Sequence, residues 1–208
     1  MSFKDEGYNG KNVAFLGGSF NPPHLGHLFI AQSILREFRL DEVVLLPLGT
    51  PPHKNRIASG EDRRNMCELL VKDVSGLKVS SIELEREGYT YTIDTLRFLR
   101  ENYEMASLNY IIGTDTLFNI ETWYHYESLL SMADDFICVP RPGDDMDKAG
   151  QKLNELTSKY DCRITISRFY GPDISSTEVR ERIEKGQDVS RFLPPEVETY
   201  IKERHIYD

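Results

Sequence analysis

The sequence has few cysteines, no long apolar run and a deficit of basic residues, and each shortage excludes a class of protein. Its three cysteines, Cys67, Cys138 and Cys162, are odd in number, far apart and free of any Cys-x-x-Cys pair. This usage argues against a disulfide framework and predicts reduced thiols in a cytoplasmic protein. No stretch reaches the roughly 18 apolar residues of a membrane span, so we expect no membrane partner.

Basic residues are outnumbered, because 25 Lys and Arg stand against 34 Asp and Glu, for a net charge of −9 at pH 7. Such a chain lacks the extended basic surface that nucleic-acid binding requires, so we expect no nucleic-acid partner. A nucleotide site is still allowed, since a few local cations suffice for it. Residues 1–11 are polar and lack the apolar core of a signal peptide, which predicts a short N-terminal tail.

Short apolar runs alternate with helical patterns along almost the whole chain of 208 residues. Strands are expected at 13–16, 43–46, 78–82, 108–112, 135–139 and 163–167, and helices at about 28–38, 61–74, 93–102, 127–133, 146–159, 174–185 and 195–204. The alternation predicts an α/β fold with a Rossmann-like, doubly wound and mostly parallel sheet covered by helices on both faces. We expect one domain over 12–208, with a helical C-terminal part from about 174.

The most informative stretch, residues 17–27, runs Gly-Gly-Ser-Phe-Asn-Pro-Pro-His-Leu-Gly-His between an apolar strand and a helical pattern. Gly17 and Gly18 allow a sharp turn and the close approach of an anion to the backbone. The N-terminus of the next helix offers free N–H groups and a partial positive charge, and His24 and His27 could both face a phosphate bound there. Neither a Walker loop nor a Gly-x-Gly-x-x-Gly element is present.

The two histidines have other interpretations. They could be structural, capping a helix or filling a gap, or they could be half of a zinc site. No cysteine or carboxylate follows nearby to complete such a site, so we expect no metal held by protein ligands.

The second informative stretch, residues 174–180, runs Ile-Ser-Ser-Thr-Glu-Val-Arg. Ser175, Ser176 and Thr177 could simply cap a helix, since hydroxyls are favoured at that position. The same first turn could instead bind an anion, and Arg180, about one turn further in, could reach the same phosphates with its planar fork.

Polar residues follow several of the predicted strands. His53 and Lys54, in a Pro-rich loop, could hold a substrate phosphate or be solvated. Arg141, in a Pro-Arg-Pro-Gly loop, has the same two interpretations. Asp115, after a predicted strand that ends in Gly113, could accept hydrogen bonds from ribose hydroxyls or cap the next helix.

Trp123 and Tyr124 lie between polar residues in a predicted loop, which favours a stacking surface for a flat ring over a place in the core. Thr92 can supply both a hydroxyl and a backbone N–H. Together these residues could bind a small aromatic ring that carries an acidic substituent.

Residues 17–27 resemble the first signature of the nucleotidyltransferase superfamily, whose His-x-Gly-His element binds ATP phosphates, and 174–180 resemble its second, Ile-Ser-Ser-Thr-x-x-Arg. From 13 to 207 the chain is similar to the bacterial nicotinate-nucleotide adenylyltransferase family, through 51–54, 91–96, 113–115, 122–124, 141–143 and 193–201 as well. Asn21 stands where many relatives have Asp, which puts in doubt any role that needs a charge there.

The resemblance implies a reaction in which ATP and nicotinate mononucleotide give nicotinate adenine dinucleotide and pyrophosphate, a step of NAD biosynthesis. It implies catalytic roles for His24, His27 and Arg180, and Mg²⁺ bound mainly through the ATP phosphates. The implied ATP-binding residues are Gly17, Gly18, Ser19, Phe20, His24, His27, Gly113, Asp115, Ser175, Ser176, Thr177 and Arg180. The implied residues for the second substrate are His53, Lys54, Thr92, Trp123, Tyr124 and Arg141.

Three rival functions share parts of this pattern. A sister adenylyltransferase acting on nicotinamide mononucleotide or phosphopantetheine would carry both superfamily signatures. A class I aminoacyl-tRNA synthetase also has a His-x-Gly-His element, but this chain has no room for a tRNA-binding domain. A nucleotide sensor without activity would not need both histidines. Homo-oligomer formation is left open by the sequence.

Overall fold

The computed structural model describes residues 7–49 and 57–207, and these residues form a six-stranded sheet covered by helices. The strands are β1 (Asn12–Gly18), β2 (Glu42–Pro47), β3 (Leu77–Val79), β4 (Ser107–Gly113), β5 (Asp135–Val139) and β6 (Ile164–Ile166). Their spatial order is β3-β2-β1-β4-β5-β6, and every neighbouring pair is parallel. This is the strand order of a doubly wound sheet, so the predicted fold class is confirmed.

Helices connect the strands. In the described part of the chain they are α1 (Leu25–Glu37), α2 (Gly60–Val71), α3 (Thr92–Asn102), α4 (Thr114–Asn119), α5 (Tyr126–Leu130), α6 (Met146–Lys159), α7 (Ser176–Glu184) and α8 (Pro195–Glu203), with a 3₁₀ turn at Ile120–Thr122. None of the helices described here is long and apolar enough to cross a membrane.

The apolar side chains of the sheet divide between its two faces, because successive residues of a strand point in opposite directions. Val13 and Phe15 of β1 pack with the buried residues of α3, α5 and α6. Ala14 and Leu16 pack on the other face, with those of α1, α2 and α8. All six residues of β2 are buried, as expected for a strand covered on both sides.

The chain reverses its direction of winding at β1, which pairs with β2 on one side and with β4 on the other. The connections after these two central strands leave the sheet in opposite directions, which opens a crevice beyond Gly18 and Gly113. Ligands of doubly wound proteins bind at this position, so the fold places the site there before any side chain is considered.

The bounds of β5 and α6 are those predicted, whereas other elements differ from the sequence pattern. Helix α4 was not predicted, because its six residues are too few to establish a helical period. The predicted third strand extended to Ile82, but β3 ends at Val79 and Ile82 is buried outside the sheet. Within the predicted N-terminal tail, Tyr8 is buried, and its ring packs edge-on to Phe15.

Candidate active site

The Gly-rich turn joins β1 to α1 at the centre of the crevice. Gly17 lies so close to Tyr110 of β4 that a Cβ atom at position 17 would overlap the tyrosine hydroxyl. Any larger residue at this position would therefore require Tyr110 to move. Phe20 is buried, and its ring packs edge-on to that of His27 with a centroid separation of 4.8 Å. The turn thus holds His27 from one side.

His24 and His27 occupy the start of α1 and form one unit. The two rings stack with centroids 3.7 Å apart, and the backbone N–H of His24 donates to Nδ1 of His27 over 3.2 Å. Because Nδ1 of His27 accepts a hydrogen bond, a neutral His27 ring carries its proton on Nε2. His27 therefore presents an N–H donor on its other nitrogen, and it lines the central cavity.

Both histidines are held in the neutral form. Burial lowers the pKa of His24 to about 4, with a smaller contribution from the positive charge of Arg141. Burial also lowers the pKa of His27 well below its ordinary value, helped by His24 and Arg141. Anionic groups entering the cavity would act in the opposite direction and favour protonation. The pair is thus a neutral donor that can gain charge when a phosphate binds.

A cavity of about 650 Å³ lies beyond the carboxyl ends of β1 and β4. It brings together predicted residues that are far apart in the sequence. Those on its wall are Gly17, His27, Thr92, Gly113, Asp115, Trp123, Tyr124 and Arg141. The cavity thus joins the predicted ATP residues and the predicted residues for a flat acidic ring in one space.

Asp115 lies in the first turn of α4 and is exposed to the cavity. The N-cap of that helix is Gly113, so the alternative that Asp115 is the N-cap of α4 is wrong. An exposed carboxylate at the switch point can accept hydrogen bonds from the hydroxyls of a bound sugar.

Arg141 is positioned through the backbone of its loop. Its N–H donates to the Asp144 carboxylate over 2.6 Å, and the same carboxylate accepts a hydrogen bond from the hydroxyl of Thr114 at the start of α4. The Arg141 side chain itself is exposed and lines the cavity. Its charge is close enough to lower the pKa of both histidines, so it can also act on a phosphate bound beside them.

Part of the cavity wall is aromatic. Thr92 is the first residue of α3, and its side chain hydrogen bonds to Tyr110. Trp123 is half-buried and packs on the core with part of its surface, while also lining the cavity. Tyr124 is 52% exposed, and its ring lies 4.4 Å from that of Tyr91. This part of the wall can accept a flat ring against aromatic surfaces.

The second signature packs directly against the first. Ser176 Oγ donates to the carbonyl of Pro22 over 2.8 Å, and Arg180 Nη1 donates to the carbonyl of Asn21 over 2.6 Å. Arg180 Nη2 donates to Thr177 Oγ1 over 3.1 Å, and Ser175 caps α7 by accepting from the N–H of Glu178. The capping alternative is therefore correct for Ser175, and the structure places the N-terminus of α7 beside the Gly-rich turn.

The structure does not put all predicted residues on the cavity wall. Its lining includes neither the second signature nor Gly18, Ser19, Phe20 and His24. Gly18, Ser19, Phe20 and His24 belong to the turn and the start of α1, and the second signature packs against that turn. His53 and Lys54 fall outside the described residues, and nothing about their placement follows from the structure.

Two residues that shape the site are absent from the predicted site residues. Tyr110 was assigned only to a strand, although its hydroxyl contacts both Gly17 and Thr92. Asn21 Oδ1 accepts from the N–H of Ala58 over 3.0 Å and from the Tyr207 hydroxyl over 2.7 Å. An amide oxygen suffices for both bonds, so this position needs no negative charge for its observed role. An unusual Tyr inside an apolar strand was the available signal for Tyr110.

Within residues 7–49 and 57–207, no group of three or more His, Cys, Asp or Glu side chains is arranged to hold a metal ion. The three cysteines are free thiols, and those of Cys67 and Cys138 are buried.

The known proteins that this chain resembles agree with the geometry of the site. A cytidylyltransferase-like family model matches residues 15–182. A protein of Desulfitobacterium hafniense named probable nicotinate-nucleotide adenylyltransferase is 36% identical over 95% of this chain and 96% of its own length. One of the same name from Halalkalibacterium halodurans is 39% identical over 95% of this chain and 91% of its own length.

A solved structure is similar as well. The Plasmodium falciparum nicotinic acid mononucleotide adenylyltransferase, in complex with NaAD, matches with a TM-score of 0.77 and 21% identity. The match covers 95% of this chain and 98% of that chain. At this identity the likeness establishes the fold.

Proposed function

The chain belongs to the cytidylyltransferase-like family and to the nicotinate-nucleotide adenylyltransferases, and we propose that its cavity transfers the adenylyl group of ATP to nicotinate mononucleotide. The observation that carries this proposal is the single cavity at the switch point. Its wall holds His27 together with Thr92 and Trp123. A transfer between two nucleotides needs both substrates in one space, with their phosphates meeting in the middle.

The chemistry places few demands on the side chains. An oxygen of the mononucleotide phosphate attacks the α-phosphorus of ATP, a new P–O bond forms, and the bond to the β-phosphate oxygen breaks. Pyrophosphate leaves with that electron pair. Because the attacking phosphate is already ionised near neutral pH, no general base is required. Catalysis then depends on alignment and on stabilisation of charge at the α-phosphate and the leaving group.

His27 is suited to the α-phosphate. Its Nδ1 accepts from the backbone, so its Nε2–H is the donor available to a ligand. We assign His27 to the charge that builds on the α-phosphate oxygens and His24, stacked behind it, to the α/β side. A triphosphate beside the two buried imidazoles favours proton uptake. Protonation of His27 at Nδ1 would cost the hydrogen bond from the His24 backbone, so we assign the neutral ring with its Nε2–H as the donor.

Arg180 and the start of α7 are suited to the departing pyrophosphate. A helix N-terminus with serine and threonine hydroxyls offers several donors to an anion. In the structure Arg180 donates to the carbonyl of Asn21 and to Thr177, which sets its guanidinium beside the Gly-rich turn. In this assignment Ser175, Ser176 and Thr177 bind the β- and γ-phosphates together with Arg180, and Gly17, Gly18, Ser19 and Phe20 supply the turn.

The remaining ATP contacts are assigned to the far side of the crevice. Gly113 allows close approach at the end of β4, and Asp115 accepts from the ribose hydroxyls. Arg141 supplies a positive charge near the phosphates, and His53 and Lys54 remain predicted contacts of the mononucleotide phosphate.

Mg²⁺ fits this site as an ion that arrives with the ATP phosphates. Magnesium keeps several waters and is usually held by substrate phosphates with one or two carboxylates, so it needs no dedicated cage. Asp115 is the carboxylate on the cavity wall that could contribute. When bound, the ion would neutralise part of the phosphate charge.

Three further expectations stay predictions: one domain over 12–208 with a helical part from about 174, a cytoplasmic location, and the possibility of a homo-oligomer. None of them alters the assignment of the site.

A panel assay of pyrophosphate release tests the proposal. The protein is incubated with ATP, Mg²⁺ and, in separate reactions, nicotinate mononucleotide, nicotinamide mononucleotide or phosphopantetheine. We expect release with the nicotinate compound and formation of its adenine dinucleotide. Release with phosphopantetheine alone, or no release with any acceptor, would overturn the assignment.

A further inference from the structure

Arg63 is a buried cation that the proposed reaction does not use directly. Arg63 belongs to α2 and is only 3% exposed to solvent. Burial lowers its pKa, which reflects the cost of taking a guanidinium out of water. Buried charges are normally compensated by hydrogen bonds, so the partners of Arg63 indicate what it does.

Three backbone carbonyls receive the hydrogen bonds of Arg63. Its Nη1 donates to Ser19 over 3.0 Å, its Nη2 to Gly49 over 3.3 Å and its Nε to Ala58 over 3.1 Å. These carbonyls belong to three separate segments, which are the Gly-rich turn, the stretch after β2 and the stretch before α2. The guanidinium is planar, with donors at fixed angles, so it sets the positions of the three segments relative to each other.

Gly49 is also held from its other side. Its N–H donates to the buried carboxylate of Glu83, and the hydroxyl of Thr95 donates to Glu83 Oε1 over 2.8 Å. A Cβ on Gly49 would lie 2.6 Å from the carbonyl oxygen of Glu83, so the peptide is tightly enclosed. Thr95 is in the first turn of α3, the helix that begins with Thr92.

The result is a continuous network of hydrogen bonds. It runs from Ser19 through Arg63, Gly49 and Glu83 to Thr95. Its first member lies in the turn that precedes the two histidines, and its last lies one helical turn from Thr92. It therefore connects the Gly-rich turn, which we assign to ATP, with the start of α3, which we assign to the pyridine ring of the second substrate.

We propose that Arg63 is a positioning residue for adenylyl transfer, which fixes the Gly-rich turn relative to the start of α3 and so aligns the two substrates. This inference rests on the proposed function. Arg63 contacts backbone rather than substrate, so its loss should misalign the bound phosphates more than it weakens their binding. In-line attack is sensitive to small displacements, and kcat should fall more than KM rises.

The test compares Arg63→Lys with Arg64→Lys in the full chain. Arg64 is the next residue of α2, partly exposed, and pairs with Glu68, so it controls for the loss of a guanidinium on this helix. Lysine keeps the charge but cannot reach three carbonyls at once. We expect Arg63→Lys to fold and to lose about 10- to 100-fold in kcat, with KM for both substrates within about threefold of wild type. Arg64→Lys should match wild type in all of these values.

A second measurement keeps the inference separate from the proposed function. In ¹H–¹⁵N spectra, the amides of Phe20 and Ser59 report on the peptides whose carbonyls Arg63 holds. Arg63→Lys should shift both signals and also those of Gly49 and Thr95, whereas Arg64→Lys should leave them in place.

Wild-type kcat in Arg63→Lys, or a loss that appears only as a higher KM, would overturn the positioning role. If Arg63→Lys fails to fold, Thr95→Val interrupts the same network at its far end and should give a smaller kcat loss with unchanged KM. Unchanged kcat there would also overturn the proposal. If the wild type shows no adenylyl transfer at all, the proposed function fails. The amide shifts would still decide whether the network couples the Gly-rich turn to the start of α3.

Discussion

The imidazole rings of His24 and His27 stack with their centroids 3.7 Å apart at the start of α1, and His27 forms part of the wall of the central cavity. Two rings in such contact cannot both carry a proton cheaply, and burial opposes the charge on each. An anion is the group that would offset this cost. The contact thus links the stability of the free protein to the chemistry that we assign to the site.

The first prediction concerns stability in mild acid. In the unfolded chain His24 takes up a proton near pH 6.5, whereas in the folded chain its pKa is about 4. Between these values the unfolded state binds more protons, so the free energy of unfolding falls as the pH falls. Urea unfolding at several pH values should show wild type losing more stability than His24→Gln over this range. Parallel pH curves for the two proteins would contradict the lowered pKa.

The second prediction concerns the transition state. If His27 donates to the α-phosphate, His27→Ala should lower kcat by about 10²–10³, the usual cost of a lost oxyanion-type donor. His27→Gln, which keeps a side-chain N–H, should recover part of the activity. Steady-state kinetics gives kcat for each variant, and a thermal melt of each variant shows whether its fold is retained. A kcat for His27→Ala within a few-fold of wild type would remove His27 from the mechanism.

The third prediction concerns the contact between Gly17 and Tyr110. A methyl group at position 17 would overlap the tyrosine hydroxyl, so Gly17→Ala should destabilise the fold by about 1–3 kcal/mol. Tyr110→Phe removes the overlapping oxygen, and the double variant should regain much of the loss. Gly150→Ala on α6, where a Cβ meets nothing within 4 Å, is the control and should be neutral or stabilising. Additive effects in denaturant unfolding would show that the hydroxyl is not the obstacle.

The fourth prediction concerns Arg180. A charge-assisted hydrogen bond to phosphate contributes roughly 1.5–3 kcal/mol, so Arg180→Ala should lower kcat/KM for ATP by about 10- to 100-fold. Arg180→Lys should restore only part of this, because an ammonium lacks the planar fork. Initial rates measured over a range of ATP concentrations, with the acceptor saturating, give kcat/KM for each variant. Full recovery by lysine would show that a point charge is sufficient.

Much of this architecture could be predicted from the sequence, because the information is local. The glycines, prolines and histidines of residues 17–27 define a strand, a turn and a helix start without reference to the rest of the chain. The bounds of β5 and α6 followed from apolar periodicity. These patterns depend only on residues that are close in sequence, and the turn, strand and helix of the structure agree with them.

Contacts between distant segments could not be predicted in this way. Tyr110 follows the pattern of a buried strand, and nothing in that pattern shows that its hydroxyl meets Gly17 and Thr92. Arg63 follows the pattern of a charged helical residue, yet it is buried against three carbonyls. Both roles arise only when the sheet assembles and brings separate loops together.

The last prediction concerns the choice between the acid and the amide at the aromatic part of the cavity wall. The nicotinate and nicotinamide rings have nearly the same shape, so stacking on Trp123 cannot distinguish them. Donors from Thr92 and from the N–H of Tyr124 would pair with a carboxylate. The carbonyl oxygen of an amide can still accept from one of these donors, but the donor that faces the NH₂ would be left unpaired, at a cost of about 1–3 kcal/mol. Thr92→Val should therefore lower the preference for the acid over the amide. Trp123→Ala should weaken the binding of both mononucleotides to the same extent.

The ratio of kcat/KM for nicotinate mononucleotide to that for nicotinamide mononucleotide, with ATP fixed, tests the whole assignment most directly. Pyrophosphate release by the wild-type protein should give a ratio on the order of 10²–10⁴. In Thr92→Val the ratio should be smaller. Comparable values for the acid and the amide in the wild type would contradict the account and indicate an enzyme that accepts both nucleotides.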